Sequence, residues 1–416
     1  MIGAARAVEL LSRRELSAEE LVRQCLARID EREPMVQAWE ALDADGALRE
    51  ARRIDALSDR PPLCGLPVGI KDLIDTADLP TCYGSPIHRG HRPAADAACV
   101  RALRRAGAIV LGKTVTTEFA VYWPGKTRNP AAPSRTPGGS SSGSAAAVAD
   151  GMVPLALGTQ TAGSVIRPAS FCGVIGWKPT FGVLPLDGVH PLAPSLDTLG
   201  FFVRDLADVP LAMSALGAPM RAAQSRQRPR FGLCRTEVWD RAEPSTRSAI
   251  EAAAERLGRS GAAVREVDLG AGFAGLVDAQ IAIMGAEAAA SLRLPLEQHS
   301  GELSPRLREF LDRGRAVSAD RLLAAREQAE RCRRDLDAIF ADLDALITPA
   351  AVGEAPEGLT ATGDPVFCRI WTLLGSPSVS LPLLRGPAGL PVGLQLIGPR
   401  GRDEVLLDRA VFAMRV

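Results

Sequence analysis

The 416-residue chain is poor in the residues that build metal centres and histidine-based triads. Its only histidines are His88, His91, His190 and His299, and none stands at short spacing from a cysteine pair. The eight cysteines (25, 64, 82, 99, 172, 234, 332 and 368) contain no CxxC, which argues against a zinc ribbon or a dithiol redox site. They are expected to act as small buried hydrophobes. Long apolar runs are also missing, because the 46% hydrophobic content is dispersed. Residues 1–17 carry Arg6, Glu9, Arg13 and Arg14 where a signal peptide needs an apolar core. A cytoplasmic location with no membrane contact is the expectation. Neither sign of charge dominates, since Lys plus Arg and Asp plus Glu both total 49, and neither forms a long block. This balance argues against nucleic acid and anionic membranes as partners and favours a small molecule. Lysine itself is scarce, limited to Lys71, Lys113, Lys126 and Lys178, so each position calls for a reason.

The length suits one large unit, and residues 1–416 are read as a single α/β domain with a central mixed sheet covered on both sides by helices. Ser17 with Glu20 gives a capping-box signal, and Leu21, Cys25 and Ile29 repeat at helical spacing, so residues 17–33 are expected to be helical and to end at Pro34. A helix is expected over 44–57, then a buried strand over 66–70 that runs straight into Lys71 and Asp72. Helix and strand alternate again at 100–106 and 108–111. From 205 to 345 the composition shifts to Ala, Arg and Leu with helical periods at 245–258, 275–293 and 319–343, which predicts a helical layer shaping the substrate pocket. Residues 231–234 and 263–267 flank one of these helices as a strand-helix-strand insertion. The C-terminal part returns to strands at 345–348, 378–383 and 392–397, closed by a helix from Asp403.

Two short patterns imitate well-known motifs in the wrong context. Residues 107–114 satisfy GxxxxGK[ST], yet the residues between the glycines form an apolar run suited to be a strand, whereas a phosphate loop is the turn after one. Gly139-Ser140-Ser141-Ser142-Gly143 fits GxSxG, but a proline-rich loop precedes it where a nucleophile elbow needs a hydrophobic strand. His190 is the best placed histidine in chain order for such a triad.

A different pairing carries more. Gly138, Gly139 and Ser140 open a glycine-serine turn that leads into a small-residue helix over 142–149, a strand follows at 153–157, and a second turn reads Gly158-Thr159-Gln160-Thr161-Ala162-Gly163-Ser164. Two such turns suggest a site built from backbone amides. These residues resemble the amidase signature family, whose hallmark is a serine-rich GGSS stretch followed by a G-T-x-T-G-G-S turn. The likeness extends to Gly65-Leu66-Pro67-Val68-Gly69-Ile70-Lys71-Asp72 upstream, and to residues 173–179, 195–200 and 389–398 downstream, in the family's order. The two matching serines lie 24 positions apart, the family's separation.

What the resemblance implies is amide hydrolysis without a cofactor or metal. Ser164 is the expected nucleophile, Ser140 the proton relay and Lys71 the base, with a strained cis peptide at Ser140. Such chemistry needs a nucleophile, an activating base, an oxyanion pocket and an acid for the departing amine. The amides of Thr161, Ala162, Gly163 and Ser164 are the expected oxyanion donors. Gly138, Gly139, Thr159 and Arg167 are the expected substrate contacts. Lys71 works as a base only when neutral, which requires burial to lower its pKa, and Asp72 must then face away or pair elsewhere. Ser144 is read as a packing hydroxyl, and Tyr122 and Trp123 as core aromatics beside a pocket that Arg369 can also reach.

Two departures stand out. Gln160 and Ala162 replace the family's usual Asp and Gly, so the turn keeps its shape only if Ala162 avoids a positive φ. Arg167 follows the nucleophile by three residues, a spacing similar to short malonamidase-like bacterial members, where the arginine grips a substrate carboxylate. A structural salt bridge is the equal alternative for Arg167. The resemblance leaves three functions open: a stand-alone amidase, as a monomer or homodimer; the amide-hydrolysing subunit of a tRNA-dependent glutamine amidotransferase; and a catalytically idle binding homologue.

Overall fold

In a computed structural model that describes residues 2–221 and 228–416, eleven strands form one mixed sheet. They are β1 (Trp39–Leu42), β2 (Pro67–Lys71), β3 (Ile109–Thr114), β4 (Leu155–Gln160), β5 (Ile175–Lys178), β6 (Thr198–Val203), β7 (Arg230–Cys234), β8 (Ala263–Val267), β9 (Ala345–Pro349), β10 (Ser378–Arg385) and β11 (Pro391–Ile397). Their order across the sheet is β1-β3-β2-β4-β6-β5-β10-β11-β9-β7-β8. The strands β3, β2 and β4 run parallel, as do β9, β7 and β8, and antiparallel pairs join the two groups. Every residue of β2, β3 and β4 is buried, the pattern of strands covered on both faces, which explains why their sequences read as continuous apolar runs.

Helices cover both faces, and β9 shows how. Side chains alternate along a strand, so Ala345 and Ile347 join one apolar cluster while Leu346 joins another. The first cluster takes in the N-terminal helices Ala4–Ser12, Ala18–Val36 and Ala44–Asp55 together with Ser142–Ala149. The second is built from Leu276–Ser291, Pro305–Arg315 and Ala319–Ile339, packed on Val366–Leu373. Leu276–Ser291 is apolar because it sits among these helices, with residues from Leu276 to Ala289 buried along it.

Most elements fall where periodicity places them, and the exceptions have local causes. The capping box forms, with the Ser17 hydroxyl accepting from the Glu20 amide and the Glu20 carboxylate accepting from the Ser17 amide. Pro34 does not end that helix. The helix runs on to Val36, and Gln37 stops it in the left-handed region, with its amide donating to the Glu33 carbonyl. The apparent phosphate loop is β3 itself, and Lys113 Nζ donates to the Ile74 carbonyl at 2.6 Å and to Thr81 at 2.5 Å. The insertion at 231–267 forms a parallel pair, β7 and β8, that extends the main sheet through β9.

The small-residue helix Ser142–Ala149 seats the catalytic-type turn on the sheet edge. Gly143 lies so close to β3 that an added Cβ would sit 2.2 Å from the Ala38 carbonyl and 2.4 Å from the Val115 amide. Both neighbours are backbone and cannot swing aside. Gly143→Ala is therefore expected to destabilise the protein by about 1–3 kcal/mol through overpacking. Urea denaturation checks this, as a lower midpoint at unchanged slope.

Candidate active site

Lys71 ends β2 and is fully buried. Its Nζ lies 2.7 Å from the Ser140 hydroxyl and 2.7 Å from the Thr159 hydroxyl, which sits on the neighbouring strand β4. Burial lowers its pKa well below the ordinary lysine value, and the charge of Asp197 opposes that shift. Asp72, the next residue, faces the other way: it lies 3.5 Å from Lys113 and accepts from the Cys82 amide. The adjacent carboxylate is thus committed elsewhere, and Lys71 has no ion-pair partner in contact with it among the described residues.

The peptide between Gly139 and Ser140 is cis. Gly138 supplies the conformation before it, with φ at +81° and no room for a Cβ, which would lie 2.8 Å from Pro168 Cα. The neighbouring serines are structural. Ser141 exchanges hydrogen bonds with the amide and carbonyl of Thr159, and Ser144 donates to the Leu157 carbonyl at 2.8 Å.

Ser164 stands in the second turn, after β4. The carbonyls of this turn are drawn away from the cavity: Gln280 donates to Thr161, Thr372 to Ala162, and the Arg167 amide to Gly163. The amides of Thr161, Ala162, Gly163 and Ser164 donate to no acceptor among the described residues. That leaves four N–H groups at one turn without a protein acceptor among the described residues. Ala162 is absent from the residues with positive φ, so the alanine departure is tolerated. Gln160 accounts for the other departure. Its carbonyl oxygen accepts from the amides of Val165 and Ile166, and its amide nitrogen donates to Thr372, which ties the turn to the helix Ile166–Cys172.

Ser140, Ser164 and the turn residues 161–163 line one small cavity of about 30 Å³, together with Thr117, Met284, Thr362, Arg167 and Arg369. A larger hollow of about 470 Å³ between Ala249, Arg256, Leu384 and Arg385 holds no nucleophile-base pair. Of the four expected substrate contacts only Arg167 lines the cavity. Thr159 is not among the lining residues, and its hydroxyl accepts from Lys71. Gly138 and Gly139 are also absent from the lining, and the Gly139 carbonyl accepts from Arg167 Nη2 at 2.6 Å.

Arg167 is 4% exposed, and burial lowers its pKa to about 10, so it stays charged at neutral pH. Its Nη2 also reaches the Thr362 hydroxyl at 3.1 Å, while Nε and Nη1 have no partner among the described residues. Arg167 forms no salt bridge among the described residues, and Asp364 acts on it only through its charge. Tyr122 and Trp123 are not core residues, being 37% and 47% exposed; Tyr122 lines the cavity with its ring edge-on to Phe310. His190 packs against Tyr83 and Phe119, away from the serines.

Sequence reading did not foresee the support provided by Asp197. Its carboxylate accepts from the Thr161 hydroxyl at 2.5 Å and from the amides of Leu192 and Ala193, and burial raises its pKa to about 6. It lies in the 195–200 motif, whose residues give no sign of reaching back 36 positions to the turn.

The chain is similar to known proteins along nearly its whole length. The Amidase family model matches residues 20–407. The 2-amino-5-chloromuconic acid deaminase of Comamonas testosteroni is 35% identical, over 96% of this chain and 93% of the relative. A glutamyl-tRNA(Gln) amidotransferase subunit of Symbiobacterium thermophilum is 34% identical, over 99% of this chain and 96% of the relative. A crystal structure of an amidase superposes with a TM-score of 0.91 at 30% identity, covering 100% of this chain and 99% of that one. With this match in sequence and fold, the chain belongs to the amidase family and is a hydrolase of amide carbon-nitrogen bonds.

Proposed function

We propose that hydrolysis runs through a Ser164 acyl-enzyme on a small amide bearing a carboxylate, with Ser140 relaying protons between Ser164 and Lys71. The observation that carries this reading is the Lys71 amine, buried without an ion-pair partner, 2.7 Å from a serine that shares a cavity wall with Ser164. Neutral Lys71 accepts the proton of Ser140 as Ser140 takes that of Ser164, whose oxygen bonds to the carbonyl carbon. The carbonyl oxygen becomes an oxyanion at the amides of residues 161–164, each such donor being worth roughly 3 kcal/mol in comparable sites. The proton returns through Ser140 to the leaving nitrogen, the carbon-nitrogen bond breaks, and ammonia departs. Water then attacks the acyl-enzyme by the same relay, releasing the carboxylic acid and restoring Ser164.

Arg167 supports the carboxylate. A guanidinium with two unpaired nitrogens beside the nucleophile fits a planar anion by paired, charge-assisted bonds. Placement in the cytoplasm, and work as a lone polypeptide, complete the proposal. A second reading, a glutamine-using component of an amidotransferase complex, draws on the relative from Symbiobacterium thermophilum. Release of ammonia from small amides by the purified chain on its own supports the first, and activity only with a partner protein supports the second.

Ser164→Ala and Lys71→Ala are each expected to lower ammonia release by about 10³-fold or more while the circular dichroism spectrum stays native; activity near wild type in either would overturn the relay. Because only the neutral amine is a base, kcat/KM is expected to fall as pH drops through the Lys71 pKa, and that limb lies well below the ordinary 10.5. A pH profile with its limb near 10.5 would contradict burial-driven tuning. Arg167→Ala is expected to cost about 10–100-fold in kcat/KM on amides with a carboxylate and much less on neutral amides. Equal losses on both would remove the carboxylate clamp.

A further inference from the structure

The cavity has a second buried cation. Arg369 lies in the helix Val366–Leu373, all of whose residues are buried, and is 5% exposed. Its Nη1 donates to the Gln280 carbonyl oxygen, and Gln280 Nε2 donates at 3.0 Å to the Thr161 carbonyl. The guanidinium is therefore held in fixed relation to the oxyanion turn, on a rigid element. Its Nε and Nη2 form no hydrogen bond with the described residues.

No residue lining the cavity is acidic. Nearby carboxylates are committed: Asp364 to Arg241 at 2.8 Å, Glu118 to Ser85 and the Ser304 amide, and Asp197 to Thr161. Two guanidiniums thus share one small, enclosed space without a counter-ion among the described residues, and the Arg369 charge is among the influences opposing the charge on Arg167. Like charges in a poorly screened site repel, and each has lost hydration on burial. A ligand with one carboxylate answers one of them. A ligand with an ammonium group would meet two cations and no anion.

We infer that Arg369 is a second anion-binding point, so that the substrates are compact amides carrying two carboxylates, one for Arg167 and one for Arg369. This rests on the reading of the cavity as the amide-binding site of Ser164. Both guanidiniums line the same small cavity, so the two carboxylates belong on a short chain.

Binding and turnover test it separately. The Ser164→Ala protein is titrated by calorimetry with propionamide, succinamate and the monoamide of propane-1,2,3-tricarboxylic acid, which carry none, one and two carboxylates. The last is expected to bind at least about 10-fold more tightly than succinamate, as one added charge-assisted pair provides. Adding Arg369→Gln is expected to collapse that ratio to near unity, and Arg369→Lys to restore part of it. A merely structural role for Arg369 would weaken all ligands together and leave the ratio intact. A ratio unchanged by Arg369→Gln, or no preference for the second carboxylate, overturns the inference. If the ratio behaves as expected but wild type releases no ammonia from any of the three, the anion site stands and the acyl-enzyme reading fails.

Discussion

The proposed mechanism depends on keeping one amine uncharged inside the protein. An ammonium at the end of β2 would be stabilised by any carboxylate in contact, and the residue next to Lys71 is an aspartate. The fold removes that aspartate from reach by giving it a second buried lysine, Lys113, on the adjacent strand. Two of only four lysines in the chain thus bear on one arrangement, the first as the base of the proposed mechanism and the second as the partner that holds Asp72 away from it. The remaining influence favouring charge, Asp197, is spent on the Thr161 hydroxyl and on two loop amides.

Around that amine the sheet acts as a jig. The parallel strands β2 and β4 place Lys71 beside Thr159, and the turn after β4 then brings Ser164 to the cavity. The helix Ser142–Ala149 packs on β3 through Gly143 and delivers Ser140 from the other side. The carbonyls of the turn that carries Ser164 are anchored by Gln280, Thr372 and the Arg167 amide, which holds the backbone of the proposed oxyanion donors in place. Gln280 comes from the helical layer and Thr372 from the helix Val366–Leu373 packed against it, so both hold the turn that carries Ser164, and Arg369 of the latter helix reaches the same cavity.

A phosphate-loop expression can coincide with a strand because a short regular expression does not encode burial. Residues 107–114 meet the pattern, but the apolar residues between the glycines make β3, and the lysine turns inward to Ile74 and Thr81. Pro34 shows a related limit: one proline near a helix end removes one donor, and that does not stop the last turn from forming. Tyr122 and Trp123 show it again, since aromatic character alone does not say which side of a cavity wall a ring occupies.

The sequence by itself determined the elements and the candidate reacting side chains. Periods of burial mark β2, β4, β7, β8 and the long helices, and the order of the glycine-serine motifs points to Lys71, Ser140 and Ser164, because local conformation and turn chemistry are written in neighbouring residues. Only the tertiary structure decided which groups meet. Thr159 became a partner of Lys71, Asp197 joined the turn that carries Ser164, and Arg167 and Arg369 came to share one cavity. Those contacts join residues up to 202 positions apart in sequence, through a sheet whose strand order no local pattern encodes.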